Sequence, residues 1–268
     1  MLLCGDIARE PCLVDKDENI AKAFDLLMKK KETHVVVTDE GKVVGILSVK
    51  DLLRTVLDRM RWGSSRVGKL YVSAVMTPQP IYVKPDTDIF TAAKLMVERG
   101  ISSLVVAESL ENFEDVLILT KRDFLQNWPA IYESGESVSR MMTRNPITIR
   151  PGSSISHAEW LLRERNISTL PVVEEGMLVG YLDARVLSMF IVKAYLKGDI
   201  KHFDRYLEEV TVSDAMRAPH YILEDQTLLE AAEVILRRRA KGTPVLSGDK
   251  LTGIITETDF AKIIAGRR

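Results

Sequence analysis

Cysteine is scarce in this chain, long apolar runs are missing, and neither sign of charge dominates. Only two cysteines occur, Cys4 and Cys12, too few for a disulfide framework or a thiolate zinc site, which points to a reducing compartment. No two of the four histidines have metal-ligand spacing, so no metal site is expected. Lys and Arg number 37 against 38 Asp and Glu, which leaves no global reason to expect nucleic acid or an anionic membrane as partner. The most apolar run, Val186 to Leu196, is short and holds Lys193, so no membrane span is expected. The segment Met1-Leu2-Leu3-Cys4-Gly5-Asp6 has no basic stretch followed by an apolar core, so a secretory signal is not expected. Also missing are the G-x-x-x-x-G-K-[ST] loop, the G-x-S-x-G elbow, the H-E-x-x-H helix and a Cys-x-x-Cys pair, so no catalytic residue or catalytic cofactor is expected. These absences leave a soluble, cytoplasmic, non-catalytic chain of 268 residues, long enough for about two domains.

What is present is repetition. Thr252-Gly253-Ile254-Ile255-Thr256-Glu257-Thr258-Asp259 reads as a short buried strand that ends at a hydroxyl, then a helix whose first turn carries a carboxylate. Gly45-Ile46-Leu47-Ser48-Val49-Lys50-Asp51 and Val116-Leu117-Ile118-Leu119-Thr120-Lys121-Arg122-Asp123 say the same. A fourth copy, Val179-Gly180-Tyr181-Leu182-Asp183-Ala184-Arg185-Val186, keeps the strand and loses both polar residues. The period, about 70 residues, exceeds that of the common solenoids. Each copy starts with an extended segment (Cys12-Leu13-Val14, Ile81-Tyr82-Val83, Ile147-Thr148-Ile149, Tyr221-Ile222-Leu223) and continues into an amphipathic helix. In the first helix Ile20, Ala23, Phe24, Leu27 and Met28 fall on one face, the 3.6-residue period of a core-facing helix. In the third copy Glu159 interrupts the stripe. An apolar strand and a Gly-containing hairpin follow (Asp39-Glu40-Gly41, Glu174-Glu175-Gly176, Ser247-Gly248-Asp249), replaced in the second copy by a longer acidic loop, Glu108 to Asp115. The expected fold class is α+β (mixed α/β): four β-α-β-β-α repeats, each too small to bury its own core, so that neighbours pair.

Further motifs carry a family resemblance. Val75-Met76-Thr77 and Met141-Met142-Thr143 ahead of a repeat, the Pro-Val strands Pro171-Val172 and Pro244-Val245, the Gly-Ile-Ile strand and the closing Thr-x-x-Asp together resemble the cystathionine-β-synthase (CBS) domain, which occurs in tandem pairs called Bateman modules. The resemblance implies repeats at residues 7–60 and 72–128, forming a first module over 7–128, and at 138–196 and 212–266, forming a second over 138–266. It also implies a flat disk with pseudo-fourfold order, similar to stand-alone archaeal and bacterial CBS proteins and to the gamma subunit of AMP-activated protein kinase. Members bind AMP, ADP, ATP or S-adenosylmethionine between paired domains. The resemblance thus implies an adenine nucleotide or S-adenosylmethionine as a regulatory ligand and a regulated protein as partner. A homodimer is compatible with it.

An adenosine ligand presents two vicinal ribose hydroxyls, which one carboxylate can bind together, and, in a nucleotide, phosphate, which a hydroxyl at a helix N-terminus can meet. Ser48 with Asp51, Thr120 with Asp123, and Thr256 with Asp259 supply such pairs. The same spacing is also a capping box, which finishes a helix and binds nothing, so an interaction scaffold with vestigial sites stands as the alternative. Val186 cannot hold ribose, so the third repeat keeps its fold and loses its own site. By the resemblance, Thr77 and Thr143 close over the partner repeat, Thr143 facing Thr256 and Asp259. Ile81, Ile147 and Tyr221 line the base slot, with His220 beside it. Lys241 and His34 stand in comparable places before the central strand, where the family carries a basic residue for phosphate. Cys4 reads as a flexible-end thiol and Cys12 as a buried strand residue. Trp62, Trp128 and Trp160 read as packing residues, and the acidic connector Pro129 to Ser137 as the boundary between modules.

Overall fold

The computed structural model describes residues 2–61, 69–132, 135–197 and 202–266. Trp62, expected to be a packing residue, lies outside these. The chain divides into two compact halves, one made of Met1–Asp123, Ile191–Asp199 and Ile264–Arg268, the other of Phe124–Phe190 and Ile200–Ile263.

The strands of the first half are β1 (Leu13–Asp15), β2 (His34–Asp39), β3 (Lys42–Ser48), β4 (Thr77–Pro78), β5 (Tyr82–Val83), β6 (Ser103–Val106) and β7 (Leu117–Thr120). Those of the second are β8 (Thr143–Arg144), β9 (Thr169–Glu174), β10 (Met177–Asp183), β11 (Ile222–Leu223), β12 (Gly242–Ser247) and β13 (Lys250–Thr256). Each repeat holds its first strand parallel to its central strand and its central strand antiparallel to the return strand, as in β1-β2-β3 and β11-β12-β13. The parallel step needs a crossover, and the amphipathic helix supplies it.

Those helices are set by their sequence. Asn19, Asp88, Ser154 and Thr227 each accept a backbone N–H of the first turn with the side chain, which satisfies donors that the helix cannot. The faces behind them are the expected ones: Ile20, Ala23, Phe24 and Leu27 are buried, as are Ile89, Ala92, Ala93 and Met96, and Leu228, Ala231, Ala232 and Ile235. In the third repeat Ile155, Ala158, Leu161 and Leu162 are buried despite the Glu159 interruption. Glu40–Gly41 and Glu175–Gly176 turn their hairpins with both residues at positive φ, the mirror-image turn whose twist matches the flanking strands. The acidic loop of the second repeat crosses to the first repeat's hairpin, where the Val43 amide donates to the Leu110 carbonyl and the Phe113 amide to that of Gly41.

Pairing of repeats is done by strand exchange. The short piece ahead of each repeat joins the return strand of its partner: β4 on β3, β8 on β13, Arg9 opposite Ile118 and Arg217 opposite Tyr181. The Met-Thr motif explains why this fits. A side chain at Gly45, Gly180 or Gly253 would collide with the sulfur of Met76, Met216 or Met142 respectively, so the glycine is needed to receive the methionine. In the second repeat the register places Leu117 where the others have glycine and Ala8 where they have methionine, so the large and small residues are swapped.

Three sequence expectations are corrected. Cys4 is fully buried in the helix Cys4–Ile7, its thiol pushed up to about 12 by burial and by the Asp88 charge. Cys12 is only half-buried and lies just before β1. Trp160 is 43% exposed and stacks on His157, whereas Trp128 is buried against Tyr132 and Phe260.

Candidate functional site

Every hydroxyl–carboxylate pair adopts one geometry. The Ser48 hydroxyl donates to Asp51 Oδ2 at 2.6 Å and the Ser48 amide donates to the same oxygen at 2.9 Å. The Thr120 hydroxyl and amide reach Asp123 Oδ2 at 2.7 and 2.6 Å, and those of Thr256 reach Asp259 Oδ2 at 2.7 and 2.9 Å. One carboxylate oxygen is thus committed to the helix start, as capping requires, and the role of each site is decided by what meets Oδ1. In the third repeat Asp183 caps alone, accepting the Val186 amide at 2.7 Å. Asp183 is fully buried, and burial raises its pKa, opposed by Arg185 and by backbone N–H groups.

The hairpin registers fix which residues correspond. His34, Ser103, Thr169 and Gly242 each face the residue that ends the return strand: Ser48, Thr120, Asp183 and Thr256. Lys241 therefore corresponds to Thr33, and His34 to Gly242. The expected equivalence of Lys241 with His34 is off by one residue, because an apolar run carries no register mark of its own. The parallel strands correct the base slot likewise. Val14, Val83, Ile149 and Ile222 match, so His220, not Tyr221, stands with Ile81 and Ile147, and with Cys12.

The exchanged strands carry one decisive difference. Facing equivalent residues of the partner's return strand stand Thr77, Thr143, Arg9 and Arg217. Thr77 lies beside the strand that ends at Ser48, and Thr143 beside the one that ends at Thr256, and both threonines are exposed. Ile81 and Ile147 follow them and are also exposed, at 39% and 37%. At these two seams the carboxylate stays accessible: Asp51 Oδ1 meets Arg54 at 3.3 Å and Asp259 Oδ1 meets Lys262 at 3.9 Å, both exposed cations of the same helix.

Arg9 makes the third seam different. Its Nε donates to Asp123 Oδ1 at 3.0 Å, and its two terminal nitrogens hold both oxygens of Glu32 at 2.9 and 2.8 Å. Asp123 is 1% exposed. Burial raises its pKa, while the Thr120 hydroxyl and amide and the Arg9 guanidinium pull it back. Burial likewise works against the charge of Arg9, and Asp123 and Glu32 outweigh it, leaving its pKa raised. With both oxygens engaged, Thr120 and Asp123 are not presented as the sequence suggested.

The fourth seam has lost the carboxylate at Val186 and holds Arg217. His220 belongs here: its ring packs edge-on against Tyr181 at 4.2 Å, and Nε2 donates to the Gly242 carbonyl at 3.1 Å. Burial pushes its pKa down to about 4, so the ring is neutral. Tyr221 is 53% exposed. The Lys241 amide donates to Asp183 Oδ2 at 3.1 Å and its ammonium pairs with Glu257 at 2.8 Å, so this cation is already matched by a buried acid. In the first half His34 bridges the Thr33 and Ser102 hydroxyls at 2.9 and 3.0 Å, a structural hydrogen-bond chain. Among the described residues no group of three or more His, Cys, Asp or Glu could hold a metal ion, and no helix is long and apolar enough to cross a membrane.

Four strand-exchanged β-α-β-β-α repeats with this turn match the profile of the CBS domain at residues 4–58, 72–128, 138–192 and 212–266. The chain belongs to the CBS-domain family. The chain is similar to MJ1225 of Methanocaldococcus jannaschii, with 23% identity over 268 residues and 92% of each chain covered. The crystal structure of MJ1225 superposes with a TM-score of 0.83 at 21% identity, over 98% of this chain and 100% of that one. MJ1404 of the same organism is 25% identical over 259 residues, and the choline transport ATP-binding protein OpuBA of Bacillus subtilis 25% over 181. The alignments cover 72% and 67% of this CBS chain. It spans 62% of MJ1404 and 43% of OpuBA, less than two thirds of either.

Proposed function

We propose that this CBS-domain chain is a non-catalytic regulatory protein of the cytoplasm that binds an adenosine-containing ligand (AMP, ADP, ATP or S-adenosylmethionine) at the seams carrying Asp51 and Asp259, and passes its occupancy on to a regulated protein. The observation that carries the reading is shared by those two seams. A carboxylate on the first helical turn keeps one oxygen in the cap and turns the other toward exposed Arg54 or Lys262, after a return strand that an exposed threonine of the partner repeat flanks. Such surface pairs contribute little, so vicinal ribose hydroxyls can displace them for charge-assisted bonds. Ser48 and Thr256 then face a phosphate or other 5′ substituent together with the helix amides. Ile81 and Ile147 offer exposed apolar surface to the base.

The competing reading, an interaction scaffold, is favoured by the fact that all three hydroxyl–carboxylate pairs also cap their helices. Thermal unfolding with AMP, ADP, ATP and S-adenosylmethionine at millimolar concentration separates the two. A sensor gains stability as RT ln(1 + [L]/Kd), and an unmoved midpoint with all four ligands sinks it.

A further inference from the structure

The Asp123 seam retains the chemistry of the Asp51 seam and differs in what covers it. Thr120 and Asp123 reproduce the Ser48–Asp51 geometry to within about 0.3 Å in both bonds to Oδ2. The turn does not need that acid in order to cap: the third repeat places Val186 there and caps with Asp183. What is peculiar is a coupled pair of charges. Arg9 stands where Thr77 and Thr143 stand in the accessible seams, and Glu32 stands where Ile101 and Ile167 do. The fourth seam has the arginine, Arg217, but Ala240 in place of the acid. Only in the Asp123 seam can the guanidinium be held from both sides, and it is, in fork-to-fork contact with Glu32 and through Nε to Asp123.

Resting on the adenosine reading of the other seams, the geometry points to Arg9 as an internal latch: it occupies the Asp123 oxygen that would otherwise accept ribose hydroxyls, and so masks a further binding site in the first half of the chain. A guanidinium presents N–H donors to a carboxylate as vicinal hydroxyls would present O–H donors, so the two compete for one acceptor. Glu32 holds the latch shut by fixing the plane of the fork. Removing both charges together leaves no unmatched Glu32, frees the second Asp123 oxygen, and restores at these two positions the threonine and isoleucine of the Asp51 seam.

The test counts ligand equivalents by titration calorimetry on the full chain, with AMP and with S-adenosylmethionine as probes. The double variant Arg9→Thr/Glu32→Ile is expected to bind one equivalent more per chain than the wild type, and adding Asp123→Ala is expected to abolish that extra equivalent. An unchanged count in the folded double variant, while the wild type binds, overturns the latch and leaves the Asp51 and Asp259 reading standing. Binding by the double variant alone supports the latch and overturns the reading of the other two seams. If neither protein binds either probe, both ideas fall. Should the double variant not fold, Glu32→Gln, which loosens the fork without changing volume, is expected to show the extra equivalent at roughly tenfold or more weaker affinity, and its absence is equally decisive.

Discussion

Asp51 and Asp123 hold the same position of the same motif one repeat apart, and they meet opposite neighbours. Asp51 follows a strand flanked by Thr77 and meets a solvated Arg54, while Asp123 meets Arg9 directly and is sealed from water. The second half repeats the contrast, with Thr143 against the strand that ends at Thr256 and Arg217 against the strand that ends at Asp183, ahead of Val186. Each half thus has one seam lined by threonine and one by arginine. A binding motif read alone is therefore incomplete, because half of the seam is supplied by the strand that the partner repeat lends.

The largest expected break in this comparison comes from Arg9→Ala. It strands Asp123 and Glu32 without their cation, and should cost roughly 3–4 kcal/mol in denaturant unfolding, at the low end for a buried pair because the guanidinium is about a third exposed. A loss under about 1 kcal/mol would show that the arginine seam is not held by this pair. The histidine of the other arginine seam should respond to acid. Its folded pKa, about 4, lies below the ordinary 6.5, so the unfolded chain takes up a proton that the folded one refuses. Stability is therefore full above pH 6.5 and falls as pH drops toward 4, by about 3 kcal/mol at pH 4. His220→Ile, the residue of the threonine seams, should flatten that limb in a pH series of melts; an unchanged slope would assign it to other groups.

A smaller effect on stability separates the seams by ligand. Asp51→Ala and Asp259→Ala should each cost about 1 kcal/mol as lost caps and weaken adenosine-ligand binding by roughly tenfold to a hundredfold. Asp123→Ala should leave binding unchanged while destabilising the fold, since it also orphans Arg9. Equal binding losses at all three positions would erase the distinction between the seams. The smallest effect is expected for Arg54→Ala and Lys262→Ala, within about 0.5 kcal/mol, since exposed pairs on one helix are weak.

Much of this was legible in the sequence. The buried face of each helix follows from apolar spacing, the hairpins from Glu-Gly turns, and the repeat from four copies of one turn. The sequence alone puts the base slot one residue off, at Tyr221, and equates Lys241 with His34, because a run such as Val35-Val36-Val37 fits neighbouring registers equally well until hydrogen bonds choose one. Arg9 is not legible in the sequence for a different reason. It lies 114 residues from Asp123, in a stretch without the Met-Thr signature, and Ala8 and Leu117, in the places of Met76 and Gly45, disguise the same strand exchange with the sizes reversed. The two positions can be matched only after the exchanged strand is seen.

The sequence by itself determined the four repeats, their core faces and the hydroxyl–carboxylate turns, since periodicity and capping are local and are written within a few residues of where they act. Only the tertiary structure decided which carboxylates stay accessible. That depends on whether a strand from another repeat lays a threonine or an arginine along the return strand, a pairing made across sequence distance and set by hydrogen-bond register rather than by any local preference.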